Sequence, residues 1–160
     1  MRLEVLIRPA TPDDIPELLR HRRGMYEDMG YNDAGTLSVM VSTCKPYLAS
    51  ALANGTLHGW LACAGEKVVA GGVVLVSPWP SHPYDGQCRR ATILNMYIDP
   101  IFRRQGIARR LMQTMIDWCR QQGLAHVDLH ASDKGRPLYE SLGFQPTNEM
   151  RLSLKEKSGV

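Results

Sequence analysis

The order of the predicted elements indicates a single domain of mixed α+β class, covering residues 1–160. A strand, two helices, an antiparallel hairpin, a further strand and a strand–helix–strand unit follow one another along the chain. The hairpin is predicted by two apolar runs that are joined by the turn Gly65-Glu66-Lys67. The stretch 91–131 alternates strand, helix and strand, so its two strands should be parallel neighbours with a right-handed crossover. We therefore expect a central mixed, mostly antiparallel sheet with one parallel pair, flanked by helices.

Apolar periodicity and turn residues place the elements of the first half. Residues 3–8 read as a strand, and Thr11-Pro12-Asp13-Asp14 is typical of a helix start, with a capping hydroxyl, a first-turn proline and acids that the helix dipole favours. That helix should run to Gly30. A second helix is predicted over 36–53, with Pro46 inside it as a point where it can kink and Asn54-Gly55 ending it. The hairpin strands are predicted at 57–64 and 68–76.

The second half is predicted in the same way. Residues 78–90 form a proline-rich loop, and 91–98 form a strand. The helix that opens at about Gln105 and stops at Gly123 should turn its apolar side inward, through Ile107, Ala108, Leu111, Met115, Trp118 and Cys119. A strand at 126–131, a short helix at 134–142 begun by Ser132 or Asp133, and an extended segment at 144–154 complete the chain.

The turn between the strand 91–98 and the following helix predicts an anion site. Free N–H groups and the dipole favour an anion at a helix start, and Gly106 lets that anion approach the backbone. Four arginines add positive charge, namely Arg103, Arg104, Arg109 and Arg110. A glycine at a helix start is usually only a turn residue, and clustered arginines usually form a solvated face. The position of this motif between a strand and a helix favours a pyrophosphate-like ligand, although the motif is neither a P-loop nor a dinucleotide fingerprint.

Composition and charge exclude several classes of protein. A hydrophobic content of 44% and a charged content of 22% are ordinary for a globular domain, and the net charge of +3 does not indicate nucleic-acid binding. The cysteines form no C-x-x-C pair, so neither a metal site nor a disulfide framework is expected for Cys44, Cys63, Cys88 and Cys119. No apolar run reaches the ~20 residues that cross a membrane. We expect a cytoplasmic protein with reduced thiols and no membrane partner.

Three motifs in order resemble the GNAT superfamily of N-acetyltransferases, and the likeness covers nearly the whole chain. The run Arg103-Arg104-Gln105-Gly106-Ile107-Ala108 matches the Q/R-x-x-G-x-G/A signature of that family. Tyr139 to Phe144 matches its Y-x-x-x-G-F marker, and the opening Ile7-Arg8-Pro9-Ala10-Thr11-Pro12-Asp13-Asp14 is a common start in the family. The resemblance implies a GNAT-like sheet and an acetyl group donated by acetyl-CoA, with no metal.

The resemblance also implies where acetyl-CoA binds. Backbone amides from about Gln105 to Arg110 would hold the pyrophosphate. The strand 95–98 would splay from its parallel neighbour, so that its backbone groups can pair with the pantetheine amides. The cofactor-binding residues expected on this basis are Met96, Tyr97, Ile98, Arg103, Arg104, Gln105, Gly106, Ile107, Ala108, Arg109 and Arg110.

Two residues are expected to act in catalysis. Many members of the family carry a glutamate base where this chain has Asn95, and an amide cannot take a proton. Asn95 either orients water or substrate, or only satisfies the splayed strand. By resemblance, Tyr139 protonates or stabilises the leaving thiolate, whereas the alternative role is that of a core aromatic among Leu138, Leu142 and Phe144.

The acceptor is expected to be a small-molecule amine or a peptide N-terminus, and formation of a homodimer is left open. Residues that could shape its pocket lie at the end of the first helix, in the proline-rich loop and after the binding helix: Glu27, Asp28, Tyr31, Trp79, His82, Tyr84 and His130. The acids could equally be solvated, and His130 could be structural. The alternative to an enzyme is an acyl-CoA-binding sensor or subunit without catalysis.

Overall fold

Five strands form one mixed sheet in the computed structural model, which describes residues 4–155. In chain order the elements are β1 (Val5–Pro9), a 3₁₀ turn (Pro12–Asp14), α1 (Ile15–Asp28), α2 (Ala34–Ala53), β2 (Leu57–Ala64), β3 (Lys67–Pro78), β4 (Arg89–Ile98), a second 3₁₀ turn (Pro100–Phe102), α3 (Ile107–Gln121), β5 (Val127–Leu129) and α4 (Arg136–Ser141). They fall into two compact units, one ending at His130 and one beginning at Ala131. That the chain is a single domain stays a prediction.

The sheet has the strand order β1-β2-β3-β4-β5 and is antiparallel except for the parallel pair β4–β5. Ala64 pairs with Lys67 across the β2–β3 turn, where Gly65 has a φ of +61° that glycine tolerates best. The predicted fold class, a mixed and mostly antiparallel sheet flanked by helices, is confirmed.

Helices cover both faces of the sheet. On one face α1 and α2 bury Leu18, Leu19, Leu48 and Ala51 against residues of β2 and β3 that include Leu57, Leu61 and Val73. On the other face the α3 residue Trp118 lies 4.3 Å from His58 and 5.5 Å from Trp60, measured between ring centroids. Neighbouring residues of a strand point to opposite faces, which explains how β2 serves both layers.

Element ends differ from the predicted bounds where backbone geometry decides them. The helix α3 begins at Ile107 and not at Gln105, because Gly106 precedes it with a left-handed φ of +81°. The short helix α4 begins at Arg136, two residues later than predicted, although Ser132 Oγ still accepts a hydrogen bond from Gly135 N at 3.1 Å. On α3, Ala108 and Trp118 are only half-buried, whereas Met112 is fully buried in the core.

The last predicted element is not a paired strand. No strand follows α4 in the described chain, so the extended segment predicted at 144–154 has no ladder partner in residues 4–155. Residue 3 of the first predicted strand lies outside the described residues. No helix within residues 4–155 combines the length and the apolar character needed to cross a membrane.

Candidate functional site

The turn that joins β4 to α3 presents the amides of a helix start. Gly106 (φ +81°) and Arg104 (φ +63°) both have left-handed backbone conformations. A Cβ at Gly106 would meet no heavy atom within 4 Å, so the space beside this backbone is open. No side chain of residues 4–155 caps α3, and the N–H groups of Ile107, Ala108 and Arg109 come before Arg110, whose N–H is the first to donate to a carbonyl of the helix start, that of Gly106. With the helix dipole, this geometry suits an anion.

Arg103, the first residue of the glycine motif, is held by the chain itself. Its Nε donates to the Ile98 carbonyl at 2.9 Å, and its Nη2 lies 2.6 Å from Asp28 Oδ2. The guanidinium also lies over the Tyr97 ring, 5.6 Å from the centroid. One residue expected to bind cofactor and one expected to bind the acceptor, Arg103 and Asp28, therefore neutralise each other.

Other polar residues of the turn also bond within the protein. Arg110 Nη2 donates to the Val5 carbonyl at 2.8 Å, and Gln105 Nε2 donates to the Ile101 carbonyl at 3.2 Å. The remaining two basic side chains of the turn are exposed, namely Arg104 and Arg109. The structure thus divides the predicted arginine cluster into two residues that hold the turn and two that face solvent.

The strand before the turn contains a β-bulge. Leu94 lies opposite Val73 and Tyr97 lies opposite Gly71, so three residue steps on β4 match two on β3. Asn95 lies inside the bulge and has a φ of +63°, a conformation that asparagine tolerates better than most residues. Sequence analysis did not predict this irregularity.

Glycine on the neighbouring strand makes room for the bulge on the α3 side. A Cβ at Gly72 would lie 2.5 Å from the Met96 sulfur and 2.9 Å from Met115 Cε. Any side chain at position 72 would therefore require the flexible ends of Met96 and Met115 to move.

On the other face, α1 anchors the bulged end of β4. Asn95 is 5% exposed, and its Nδ2 donates to the Leu18 carbonyl at 2.8 Å. The Tyr97 ring lies so close to α1 that a Cβ at Gly24 would be 2.7 Å from two of its carbons. The same ring stacks on His21 with a centroid distance of 5.5 Å.

His21 is a buried, neutral part of this anchor. Its Nε2 lies 3.2 Å from Arg20 Nη2, and its Nδ1 has no hydrogen-bond partner among residues 4–155. Burial lowers the pKa of His21 to about 4, and the charge of Arg20 lowers it as well, while Glu17 and Asp99 raise it. Arg20 is itself held by Asp99 at 2.6 Å and Glu17 at 2.7 Å, so these charges belong to one network.

The parallel ladder ends before the bulge begins. β5 pairs only with Ala91–Ile93, whereas β4 continues to Ile98. Within the described residues, the edge of 94–98 that faces away from β3 has no neighbouring strand. Within the described residues, no strand therefore pairs with the outer edge of Met96, Tyr97 and Ile98.

The candidate acceptor residues near α1 make local contacts. Glu27 pairs with Arg23 at 2.9 Å, one turn away on the same helix. Tyr31 lies edge-on to Tyr26 with a centroid distance of 5.4 Å. The remaining candidate outside the loop, His130, follows β5 and is exposed.

The proline-rich loop contributes exposed aromatic rings. Trp79 lies under the Arg90 guanidinium at 4.7 Å, and the rings of His82 and Tyr84 are 5.4 Å apart. Tyr84 is 83% exposed. These rings thus contact one another or the Arg90 side chain at the start of β4.

Tyr139 belongs to the second unit. Gly135 leaves room for its ring, because a Cβ there would lie 2.9 Å from Tyr139 Cε2, and the Phe144 ring lies 6.0 Å away. Burial raises the pKa of Tyr139, so its hydroxyl keeps its proton at neutral pH.

Sequence analysis missed the α1 anchors, although one signal could have found them. Leu18, His21 and Gly24 recur at three-residue spacing on the buried side of α1. A histidine and a glycine on an otherwise apolar face indicate a special contact. No group of three or more His, Cys, Asp or Glu side chains in residues 4–155 could hold a metal ion.

The described chain thus has an uncapped helix start next to a strand edge without a partner, on a mixed sheet flanked by helices. The model of the family described as "Acetyltransferase (GNAT) family" matches residues 20–144. The chain therefore belongs to the GNAT family.

Two curated relatives support this assignment. Human N-acetyltransferase 8 is 31% identical over 122 residues, which are 74% of this chain and 50% of that protein. The [ribosomal protein bS18]-alanine N-acetyltransferase of Escherichia coli K12 is 40% identical over 57 residues, 34% of this chain and 38% of that protein. The chain thus spans half or less of the length of these curated relatives.

Two solved structures are similar over nearly the whole chain. A GCN5-related N-acetyltransferase from Ralstonia eutropha is 36% identical with a TM-score of 0.88, covering 94% of this chain and 99% of that one. A predicted acetyltransferase from Clostridium acetobutylicum, crystallised with acetyl-CoA, is 27% identical with a TM-score of 0.85, covering 94% and 97%.

Proposed function

We propose that this protein transfers the acetyl group of acetyl-CoA to a primary amine. The observation that carries the proposal is the open, uncapped start of α3 at Gly106, at the end of a strand whose last five residues have one free edge. The acetyl-CoA in the Clostridium acetobutylicum structure supports the same ligand here.

The pyrophosphate is assigned to the backbone amides from Gln105 to Arg110. An anion at this position gains from both the N–H groups and the helix dipole, and Arg104 and Arg109 add charge from the surface. Because Arg103 and Arg110 bond to the protein, we assign them to holding the turn in shape rather than to direct phosphate contact.

The pantetheine arm is assigned to the edge of Met96, Tyr97 and Ile98 that has no neighbouring strand within the described residues, where the Ile98 carbonyl already accepts a hydrogen bond from Arg103. An amide-bearing chain that lies beside a strand edge can pair with it much as another strand does. The ligand would then lie beside the end of β4, beyond the point where its ladder with β5 stops.

In the reaction, the amine nitrogen attacks the thioester carbonyl carbon, the new C–N bond forms, and the C–S bond breaks. The amine must first lose a proton, since an alkylammonium with a pKa of about 10 is almost fully charged at neutral pH. Asn95 cannot accept that proton, and its amide already donates to Leu18. We assign Asn95 to positioning β4 and the proton to a water chain that leads to solvent.

The leaving thiolate requires a proton or a hydrogen bond. The resemblance assigns this role to Tyr139, whose raised pKa keeps the phenol protonated and able to donate. The products are the N-acetyl amine and free CoA.

The names of the relatives indicate the chemistry of the acceptor but not its identity. One is a ribosomal-protein alanine N-acetyltransferase, and another is a glucosamine 6-phosphate N-acetyltransferase of Trypanosoma brucei that is 35% identical over 63 residues. Their named acceptors share only a primary amine, so the acceptor here is proposed as that class.

The test is release of free CoA from acetyl-CoA in the presence of a panel of amines, amino acids, amino sugars and peptides. We expect amine-dependent release by the wild-type protein. Binding of acetyl-CoA without release with any acceptor would favour the non-catalytic sensor.

Gly106→Val tests the anion site within the same assay. The branched side chain blocks approach to the amides, and we expect acetyl-CoA affinity to fall by roughly 100-fold, as for the loss of two charge-assisted hydrogen bonds of ~1.5 kcal/mol. Gly55→Val is the matched control, because Gly55 also has a positive φ (+75°) and open space around it. Equal affinity for the two folded variants in calorimetry would remove the pyrophosphate from this turn.

Tyr139→Phe tests the proposed acid. The substitution keeps the ring and deletes only the hydroxyl, so acetyl-CoA affinity should be nearly unchanged while kcat falls by roughly 10²–10⁴-fold. Single-turnover kinetics isolate the chemical step. A wild-type kcat would assign the hydroxyl to structure.

A further inference from the structure

The turn between β4 and α3 is joined to α1 by two ion pairs. Asp99, the first residue after β4, accepts a hydrogen bond from Arg20 Nη1 through its Oδ1 at 2.6 Å. Four residues later, Arg103 Nη2 donates to Asp28 Oδ2, also at 2.6 Å. The helix thus supplies the cation of the first pair and the anion of the second. Exchanging the partners would bring like charges together, so the two pairs fix how the turn sits on α1.

Arg20 is bonded through all three of its guanidinium nitrogens. Besides the bond to Asp99, its Nε donates to Glu17 Oε2 at 2.7 Å and its Nη2 donates to the Val68 carbonyl of β3 at 3.1 Å. Asp99 is also held by its backbone, because its N–H donates to the Val69 carbonyl at 2.8 Å. The start of the turn is therefore tied to α1 and to β3 at once.

Arg103 lies directly before the part of the turn that presents the amides. The next residue, Arg104, has a φ of +63°, and Gly106 has a φ of +81°. The direction of the amides at the start of α3 follows from these two left-handed residues and from the orientation of the chain that enters them. The Arg103 side chain fixes that entry, because its Nε donates to the Ile98 carbonyl at 2.9 Å while its Nη2 donates to Asp28.

We propose that Asp28 is a positioning residue for acetyl-CoA that acts through Arg103 and not on the acceptor amine. Arg20 supports the same turn through Asp99. The inference rests on the proposed pyrophosphate site at Gly106. Arg20 and Asp28 lie about 12 Å apart along the axis of α1, at 1.5 Å per residue. Two attachments at this separation resist rotation of the turn about either one.

The sign of the Asp28 charge separates this role from a direct electrostatic one. A carboxylate near a site for a pyrophosphate opposes binding of that anion through its charge. If Asp28 acted only through its charge, neutralising it would strengthen the binding of acetyl-CoA. If Asp28 acts by holding Arg103, neutralising it releases the turn and weakens binding. The two roles therefore predict changes of opposite sign.

Asp28→Asn is the test, because it removes the charge and keeps the shape of the side chain. Calorimetry should show that acetyl-CoA affinity falls by roughly tenfold, as for one charge-assisted hydrogen bond. Glu27→Gln is the matched control, since Glu27 pairs with Arg23 within α1 at 2.9 Å. Its affinity for acetyl-CoA should not fall. Wild-type or tighter binding by Asp28→Asn, or an equal loss in both variants, would overturn the proposal.

A double-mutant cycle tests whether Asp28 acts through Arg103. Arg103→Gln alone should weaken acetyl-CoA binding, because glutamine cannot reproduce the guanidinium fork. Adding Asp28→Asn to that variant should cause no further loss, since the partner through which Asp28 acts is already gone. Losses that add in the double variant would contradict the inference. Asp28→Glu keeps the carboxylate and should bind more tightly than Asp28→Asn, and the reverse order would count against the inference as well.

Steady-state kinetics separate the cofactor turn from the acceptor pocket. With an amine that the CoA-release assay identifies, Asp28→Asn should raise the KM for acetyl-CoA and leave kcat near the wild-type value, because the change affects binding and not the chemical step. A rise confined to the KM for the amine would return Asp28 to the acceptor pocket and refute the proposal.

Gly106→Val keeps this inference separable from the proposed function. All variants are compared well below their melting temperatures, which thermal denaturation provides, so that a loss of affinity does not reflect unfolding. If Gly106→Val weakens acetyl-CoA binding and Asp28→Asn does not, only the role of Asp28 is wrong. If neither variant changes the affinity, the pyrophosphate site itself is wrong.

Discussion

The two halves of β4 are held in place by different means. In the first half, residues 91–93 pair with β3 on one side and with β5 on the other, and an ion pair between Arg90 and Asp128 at 3.0 Å adds to these ladder bonds. Residues 94–98 have a strand on one side only and carry the bulge. Side chains and a carbonyl of α1 hold this second half from the face of the sheet.

The difference shows how a strand can stay in position while one edge remains open. Ladder hydrogen bonds fix a strand within the plane of the sheet, and they occupy the edge that they use. Contacts from α1 act perpendicular to that plane, so they fix β4 without covering its edge. The second half therefore depends on a few side-chain contacts, and disrupting them should affect it before the first half.

Acidification should produce the largest effect on this anchor. The pKa of His21 is about 4 in the folded protein, below its ordinary value of 6.5, so the unfolded chain binds the proton more tightly. The free energy of unfolding therefore does not depend on His21 above about pH 6.5. As the pH falls from there toward 4, this free energy should decrease by about 3 kcal/mol, because the unfolded chain takes up the proton first. Denaturant unfolding across this pH range measures the loss.

Variants and hydrogen exchange assign that loss to the anchor. His21→Gln should flatten the pH dependence, whereas His126→Gln, at an exposed position, should leave it in place. The amides of 94–98 should lose protection before those of 89–93. Equal loss of protection in both halves would contradict a separate role for α1.

Gly24→Ala is expected to have the next largest effect. An alanine normally stabilises a helix relative to glycine, but here its Cβ would lie 2.7 Å from the Tyr97 ring and force it off α1. We expect destabilisation by roughly 1–3 kcal/mol, as for overpacking. Gly35→Ala in α2 is the control, because its Cβ has only an ordinary contact at 3.5 Å, and it should be neutral or stabilising. Thermal denaturation of both variants would show whether the sign differs.

The smallest expected effect separates two structural contributions of Asn95, namely its side-chain hydrogen bond to Leu18 and its left-handed backbone. Asn95→Ala and Asn95→Gly both remove the hydrogen bond to Leu18, but only alanine must adopt a φ near +63° with a Cβ. The glycine variant should therefore be the more stable of the two by about 1 kcal/mol. If unfolding experiments rank them in the opposite order, the left-handed conformation is not what selects asparagine here.

Local patterns predicted most of the fold. The bounds of β2 were predicted to the residue because an apolar run and a glycine turn lie next to each other in sequence, and the order of strand, turn and helix around Gly106 was predicted from the same kind of local pattern. The α1 anchors were missed because they join residues far apart in sequence. Leu18 and Asn95 are 77 residues apart, and Asp28 and Arg103 are 75 apart.

The bulge also determines how β4 tolerates changes in its length. Leu94 and Tyr97 both face α1 although three residue steps separate them, so deleting one residue between them would restore plain alternation and leave Tyr97 beside His21 and Gly24. A one-residue insertion that forms no second bulge would instead be comparable to a frameshift in a coding sequence, because each later residue of the strand would exchange one layer of the protein for the other. The loop at 79–88, which connects two antiparallel strands at the surface, can absorb the same change without altering which face any strand residue occupies.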